Sequence, residues 1–123
     1  PTEKLHVSGN AIVSSTLTVS GTTKMAAGVY KTAFYEGSNY SITIAKSLII
    51  AASGITGTLP NGAGLEGYIF TIVNSHSTNS TTLSTTSSET FGNVVGTPTS
   101  LTIVGGATKT VTWTGSSWSI IGN

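Results

Sequence analysis

Apolar and polar residues alternate with a period of two through most of the chain. The clearest case is Leu5-His6-Val7-Ser8-Gly9-Asn10, echoed by Leu17-Thr18-Val19-Ser20-Gly21-Thr22, the pattern L-x-V-S-G-[N/T] repeated 12 residues on. In an extended strand this spacing puts the apolar side chains on one face, and each copy stops at a Gly that permits a turn. Two strands this short bury too little surface to persist alone. Leu5, Val7, Leu17 and Val19 therefore need cover, and sister copies wound about a common axis supply it most simply. Residues 1–25 read as a shaft and trimerisation segment, and 26–123 as a β-rich head.

The head reads as a series of strands. Val29 to Tyr35 alternates, and Glu36-Gly37-Ser38-Asn39 makes a turn. Tyr40 to Ala52 holds either two strands or one with a bulge at Lys46-Ser47, and its continuous Leu48-Ile49-Ile50 suits a strand covered on both faces. Ile55 to Leu59 leads into a Pro60-Asn61-Gly62-Ala63-Gly64 loop, and Gly67 to Asn74 has the strongest strand pattern in the chain. Thr81 to Thr86 reads as a polar strand at an edge or exposed. Ser100 to Val104 and Lys109 to Thr114, joined at Gly105-Gly106, read as a hairpin, and Trp118 to Ile121 as the last strand. Seven to nine strands with short turns and no helical periodicity predict an all-β fold: an antiparallel β-sandwich or small β-barrel head on a short intertwined β shaft.

Composition narrows the function. Charged residues are 7% of the 123, and Arg, Asp, Gln and Cys are absent. A net charge of +1 on scattered lysines gives no footprint for a phosphate backbone, so nucleic acid is not an expected partner. Without cysteine there is no disulfide and no thiolate chemistry. No apolar run reaches the length of a membrane-spanning helix. Pro1 in place of Met, and a strand running to Asn123, suggest the C-terminal piece of a longer polypeptide.

Candidate chemistry is sparse. Gly62-Ala63-Gly64-Leu65-Glu66-Gly67 satisfies G-x-G-x-x-G, but a strand follows it instead of a helix, so no dinucleotide or other cofactor is expected. The two histidines, His6 and His76, have no Asp to complete a nucleophilic triad. No opposed pair of carboxylates of the kind used in glycoside hydrolysis can be picked out. His6 has opposite parity to Leu5 and Val7 and points away from a threefold axis, so no metal is expected there. The chain does not read as an enzyme.

Aromatic residues are the remaining candidates, since flat rings stack on the apolar faces of sugars while Asn, Ser and Thr bond the hydroxyls. Trp113 shares parity with Val111, and Trp118 with Ile120, so both are expected to face inward. Tyr35 and Tyr40 flank a turn and are expected to be exposed. With Asn39 in that turn, and His76 and Asn79 in the polar loop 74–80, they form the candidate ligand-contact set. Asn39-Tyr40-Ser41 and Asn79-Ser80-Thr81 are also N-glycosylation sequons.

The opening P-T-E-K-L-H-V-S-G-N with its L-T-V-S-G-T echo resembles the shaft segments of phage tail fibres and of fibre proteins from large DNA viruses. The head is similar to a C-terminal domain of such fibres in its Leu59-Pro60 loop, the Gly67 to Asn74 strand, the Thr-rich 81–86 strand, Gly105-Gly106, and the closing Val111 to Ile121. It departs from them in its near absence of charge and in Trp113, where aliphatics are usual. The resemblance implies a homotrimeric structural fibre or spike tip on the virion surface, joined to the rest of the fibre and frequently binding the host surface, and host-surface carbohydrate is the ligand expected of it. It implies no specific binding residue. The alternative from the residues alone is a monomeric carbohydrate-binding or adhesin module of a secreted bacterial protein.

Overall fold

The computed structural model describes residues 11–16, 18, 31–52 and 54–123. Leu5, Val7, Leu17 and Val19, and with them the expected interchain contacts, lie outside the described residues. Nine strands run through the described part: β1 Ala33–Glu36, β2 Tyr40–Ser41, β3 Leu48–Ala51, β4 Thr56–Thr58, β5 Ile69–Asn74, β6 Thr81–Ser84, β7 Ser100–Ile103, β8 Thr108–Trp113 and β9 Trp118–Gly122. The protein is all-β, with no helix among the described residues.

The strands form two sheets, ordered β1-β3-β5-β8-β9 and β2-β4-β6-β7. Up to β6 the chain changes sheet at every connection, so each circuit of backbone stacks on the one before. Phe34, Ile49 and Ile72 form one column of partners, and Tyr40, Gly57 and Leu83 form another. All of these pairs are parallel, which corrects the antiparallel expectation. A parallel neighbour normally needs a long crossover, and here a strand of the opposite sheet provides the return path. After β6 the chain reverses. β7 adds to β6, β8 to β5 and β9 to β8, all antiparallel, so both sheets are mixed.

Two further expectations change for the same reason. Ser100–Ile103 and Thr108–Trp113 do not form a hairpin with each other but lie in different sheets. Gly105-Gly106 carries the chain between them, with Gly106 at φ +74°. A Cβ on Gly105 would lie 2.6 Å from the Thr78 amide nitrogen, so only Gly fits where these loops cross. The Thr81–Ser84 strand is interior, paired with β4 on one edge and β7 on the other, and Thr81 and Leu83 both point into the core.

One core joins the sheets. Ile49, Phe70, Ile72, Val111 and Trp118 come from the larger sheet and Leu83 and Ile103 from the smaller, all essentially without solvent contact. Trp118 packs edge-on against Phe70 (5.8 Å between centroids) and Trp113 (5.4 Å). Both tryptophans face inward, as their parity predicts. Burying each such ring contributes about 2–3 kcal/mol, so this aromatic cluster is the main apolar anchor of the β8–β9 end.

Candidate functional site

The outer faces of the two sheets differ in chemistry. On the four-stranded sheet the outward positions are Ser41, Thr56, Thr58, Thr82, Ser84, Ser100 and Thr102, each a small hydroxyl. The five-stranded sheet presents Ala33, Tyr35, Leu48, Ile50, Ile69, Thr71 and Val73 from its first three strands, and Thr110, Thr112 and Ser119 from β8 and β9. Leu48, Ile50 and Val73 are half-buried on this face, and Tyr35 is 79% exposed on it. The run Leu48-Ile49-Ile50 thus has one side chain in the core and two on this outer face. The expected cover on both sides is only partial among the described residues.

At the corner of that face, beside the first residues of β1, β3 and β5, lies an open cleft of about 460 Å³. Ile44, Tyr68 and Ile69 supply its apolar surface, and Lys31, Ser47 and Glu66 its polar groups, with the Gly67 backbone between. Its walls are fixed through the backbone. Lys46 N–H donates to Thr43 O (2.8 Å), closing the turn that carries Ile44. Ser47 O accepts Thr71 N–H (2.8 Å), and Gly67 and Tyr68 N–H donate to Trp113 O and Leu65 O. Gly67 has φ +80°, a conformation that side chains disfavour, and this sets the angle at which Tyr68 leaves the turn.

The candidate contact residues do not converge. Tyr35 lies on the apolar face and Asn39 in the exposed turn, where its Oδ1 accepts Thr56 N–H (2.8 Å). Tyr40, expected to be exposed, is 8% exposed, which removes it as a ligand-facing ring. Its parity is that of Ile42, also buried, and this places the ring inside beside Gly57. There its phenol has no hydrogen-bond partner. Burial, with the Glu36 charge adding to it, pushes its pKa up to about 12.

His76 and Asn79 sit together in the 75–80 loop, in a local turn. His76 Nδ1 accepts Asn79 N–H (3.1 Å) and Thr78 N–H (3.2 Å). Beneath it, buried Asn74 donates from Nδ2 to Asn79 O and Ile103 O, and accepts His76 N–H on Oδ1. These bonds account for the loop as architecture. Residues 62–67 run into β5, a strand, as expected for a loop. No cluster that could hold a metal occurs among the described residues.

The cleft residues come from separate segments, and Tyr68 is one of nine aromatics in the chain. The signal available was Tyr68-Ile69 directly after a Gly: two large adjacent residues at a strand start, of which a single inner face can take only one. No family model, no curated protein and no solved structure matches this chain.

Proposed function

We propose that the chain is the tip of a homotrimeric fibre or spike on a virion surface, with a sandwich-like head that attaches to a host-surface glycan. The observation that carries this reading is the contrast between the outer faces. An apolar patch on β1, β3 and β5 with Tyr35 at its edge favours association, whereas the hydroxyl face opposite is content in water. Cyclic association of three copies through the row of Tyr35, Ile50 and Val73 would bury apolar surface around the axis and leave the Ser/Thr faces and the Ile69 corner outside the contact. The paucity of charge supports it too, since little repulsion opposes like faces meeting. Three weak sites on one rigid frame would gain avidity on a repetitive glycan. Enzymatic activity forms no part of this reading.

Sedimentation equilibrium of the full chain and of Tyr35→Glu tests it. Three times the chain mass for the parent, falling in the variant, is the expected outcome. A single-chain mass for the parent over a wide concentration range would replace this reading with that of a monomeric carbohydrate-binding or adhesin module.

A further inference from the structure

We infer that the corner cleft is the glycan subsite, taking one neutral pyranose unit with its apolar face on the Tyr68 ring. This rests on the attachment half of the reading above and adds where the contact is made and by which groups. Tyr68 is 46% exposed and follows Gly67, whose N–H donates to Trp113 O, so much of a large flat ring faces solvent from a backbone position fixed by the turn. Ile44 and Ile69, 57% and 43% exposed, extend the apolar surface on either side. Around it stand three polar side chains of complementary capacity. The Glu66 carboxylate accepts, the Lys31 ammonium donates, and the Ser47 hydroxyl does both.

Among the described residues neither Lys31 nor Glu66 is in an ion pair or a side-chain hydrogen bond; the Glu36–Lys46 pair is the ion pair present there. Among the described residues both charges are therefore available, and together they cancel, so the site favours an uncharged ring bearing neighbouring hydroxyls over an anion or a cation. The cleft volume is in the range of small-ligand sites. An apolar peptide would leave both charges unsatisfied, whereas a pyranose offers an apolar face to Tyr68 and hydroxyls to its rim.

The test is titration of the isotopically labelled full chain with the methyl glycosides of glucose, galactose, mannose and N-acetylglucosamine, followed through backbone amide resonances. At least one glycoside is expected to shift Ser47, Gly67, Tyr68 and Ile69 saturably. Tyr68→Ala should weaken that binding about tenfold or more through loss of the stacking ring, and the exposed Glu66→Gln should weaken it with the rest of the spectrum unchanged. Shifts that survive in both variants, or no saturable shift at these amides with any of the four, would overturn the inference. A trimer that binds none of the four sinks this inference alone, whereas a monomer that binds at the cleft sinks the trimeric reading alone.

Discussion

Trp118 and Glu89 are locked together in the core wall. The indole Nε1–H donates to one carboxylate oxygen at 2.9 Å, and the other oxygen accepts the Gly62 amide at 2.7 Å. One side chain from the 85–99 connection thus ties the last strand to the loop before β5. The carboxylate satisfies both donors because it offers an acceptor in each direction.

Glu89→Gln tests this arrangement. An amide keeps one acceptor oxygen and turns an NH₂ toward either the indole or the Gly62 amide. The expected loss is about 1–3 kcal/mol, the penalty for a partly buried donor without a partner, read as a lower denaturant midpoint with unchanged slope. An unchanged midpoint would mean that water replaces the carboxylate there.

Gly62 and Gly57 are required by what lies against them. An added Cβ would clash with the Trp113 indole at Gly62 and with the Tyr40 ring at Gly57. Gly62→Ala and Gly57→Ala are each expected to destabilise by about 1–3 kcal/mol through overpacking. Gly37→Ala has open space around the new methyl and should stay within about 0.5 kcal/mol of the parent. Thermal unfolding of the three variants side by side separates crowding from a general effect of replacing glycine.

Tyr40 makes stability pH-dependent at the alkaline end. Its folded pKa, near 12, lies above the unfolded value of about 10. The unfolded chain therefore releases a proton that the folded chain retains. The stability contributed is complete below pH 10 and is lost as pH rises to 12, by up to roughly 2–3 kcal/mol. Tyr40→Phe removes a buried hydroxyl that has no partner, so it should leave neutral-pH stability equal or higher and flatten this alkaline loss. Parallel slopes for parent and variant between pH 10 and 12 would contradict the assignment.

Asn74 is fully buried, and both ends of its amide are engaged. Asn74→Asp points a carboxylate at two carbonyl oxygens that had accepted hydrogen bonds. A loss of about 3 kcal/mol or more is expected at neutral pH. Protonation of the raised-pKa acid should recover part of it as pH falls. Urea unfolding at pH 7 and pH 4.5 checks the sign: the gap between parent and variant must narrow at the lower pH.

Much of the strand inventory was legible from alternation. Ile69–Asn74 lies inside the predicted Gly67 to Asn74 strand, and Leu48–Ala51 separates from Tyr40–Ser41 where Lys46-Ser47 interrupts the pattern. Inward Trp113 and Trp118 followed from parity with Val111 and Ile120. The candidate site was hardly legible. Tyr40 was judged by its place beside a turn, when its parity with Ile42 was the better guide. The cleft draws Lys31, Ile44, Ser47, Glu66 and Tyr68 from stretches up to 37 positions apart, and nothing local marks them as neighbours.

The sequence by itself determined which residues are extended and which side chains share a face, because a period of two is a covalent property of the extended backbone and needs no partner. Strand pairing was decided only by tertiary structure. Lys109–Thr114 looks equally suited to Ser100–Val104 and to Gly67–Asn74, and the path of the connections, through Gly105-Gly106 and around the coil of β1 to β6, assigns it to the latter. That assignment makes the larger sheet mixed, while the parallel pairing of β2 with β4 sets Tyr40 beside Gly57 and the turn before β5 brings Tyr68 to the rim of a cleft. Each outcome depends on where the chain returns in space, which pairwise contacts between distant segments settle and local pattern does not.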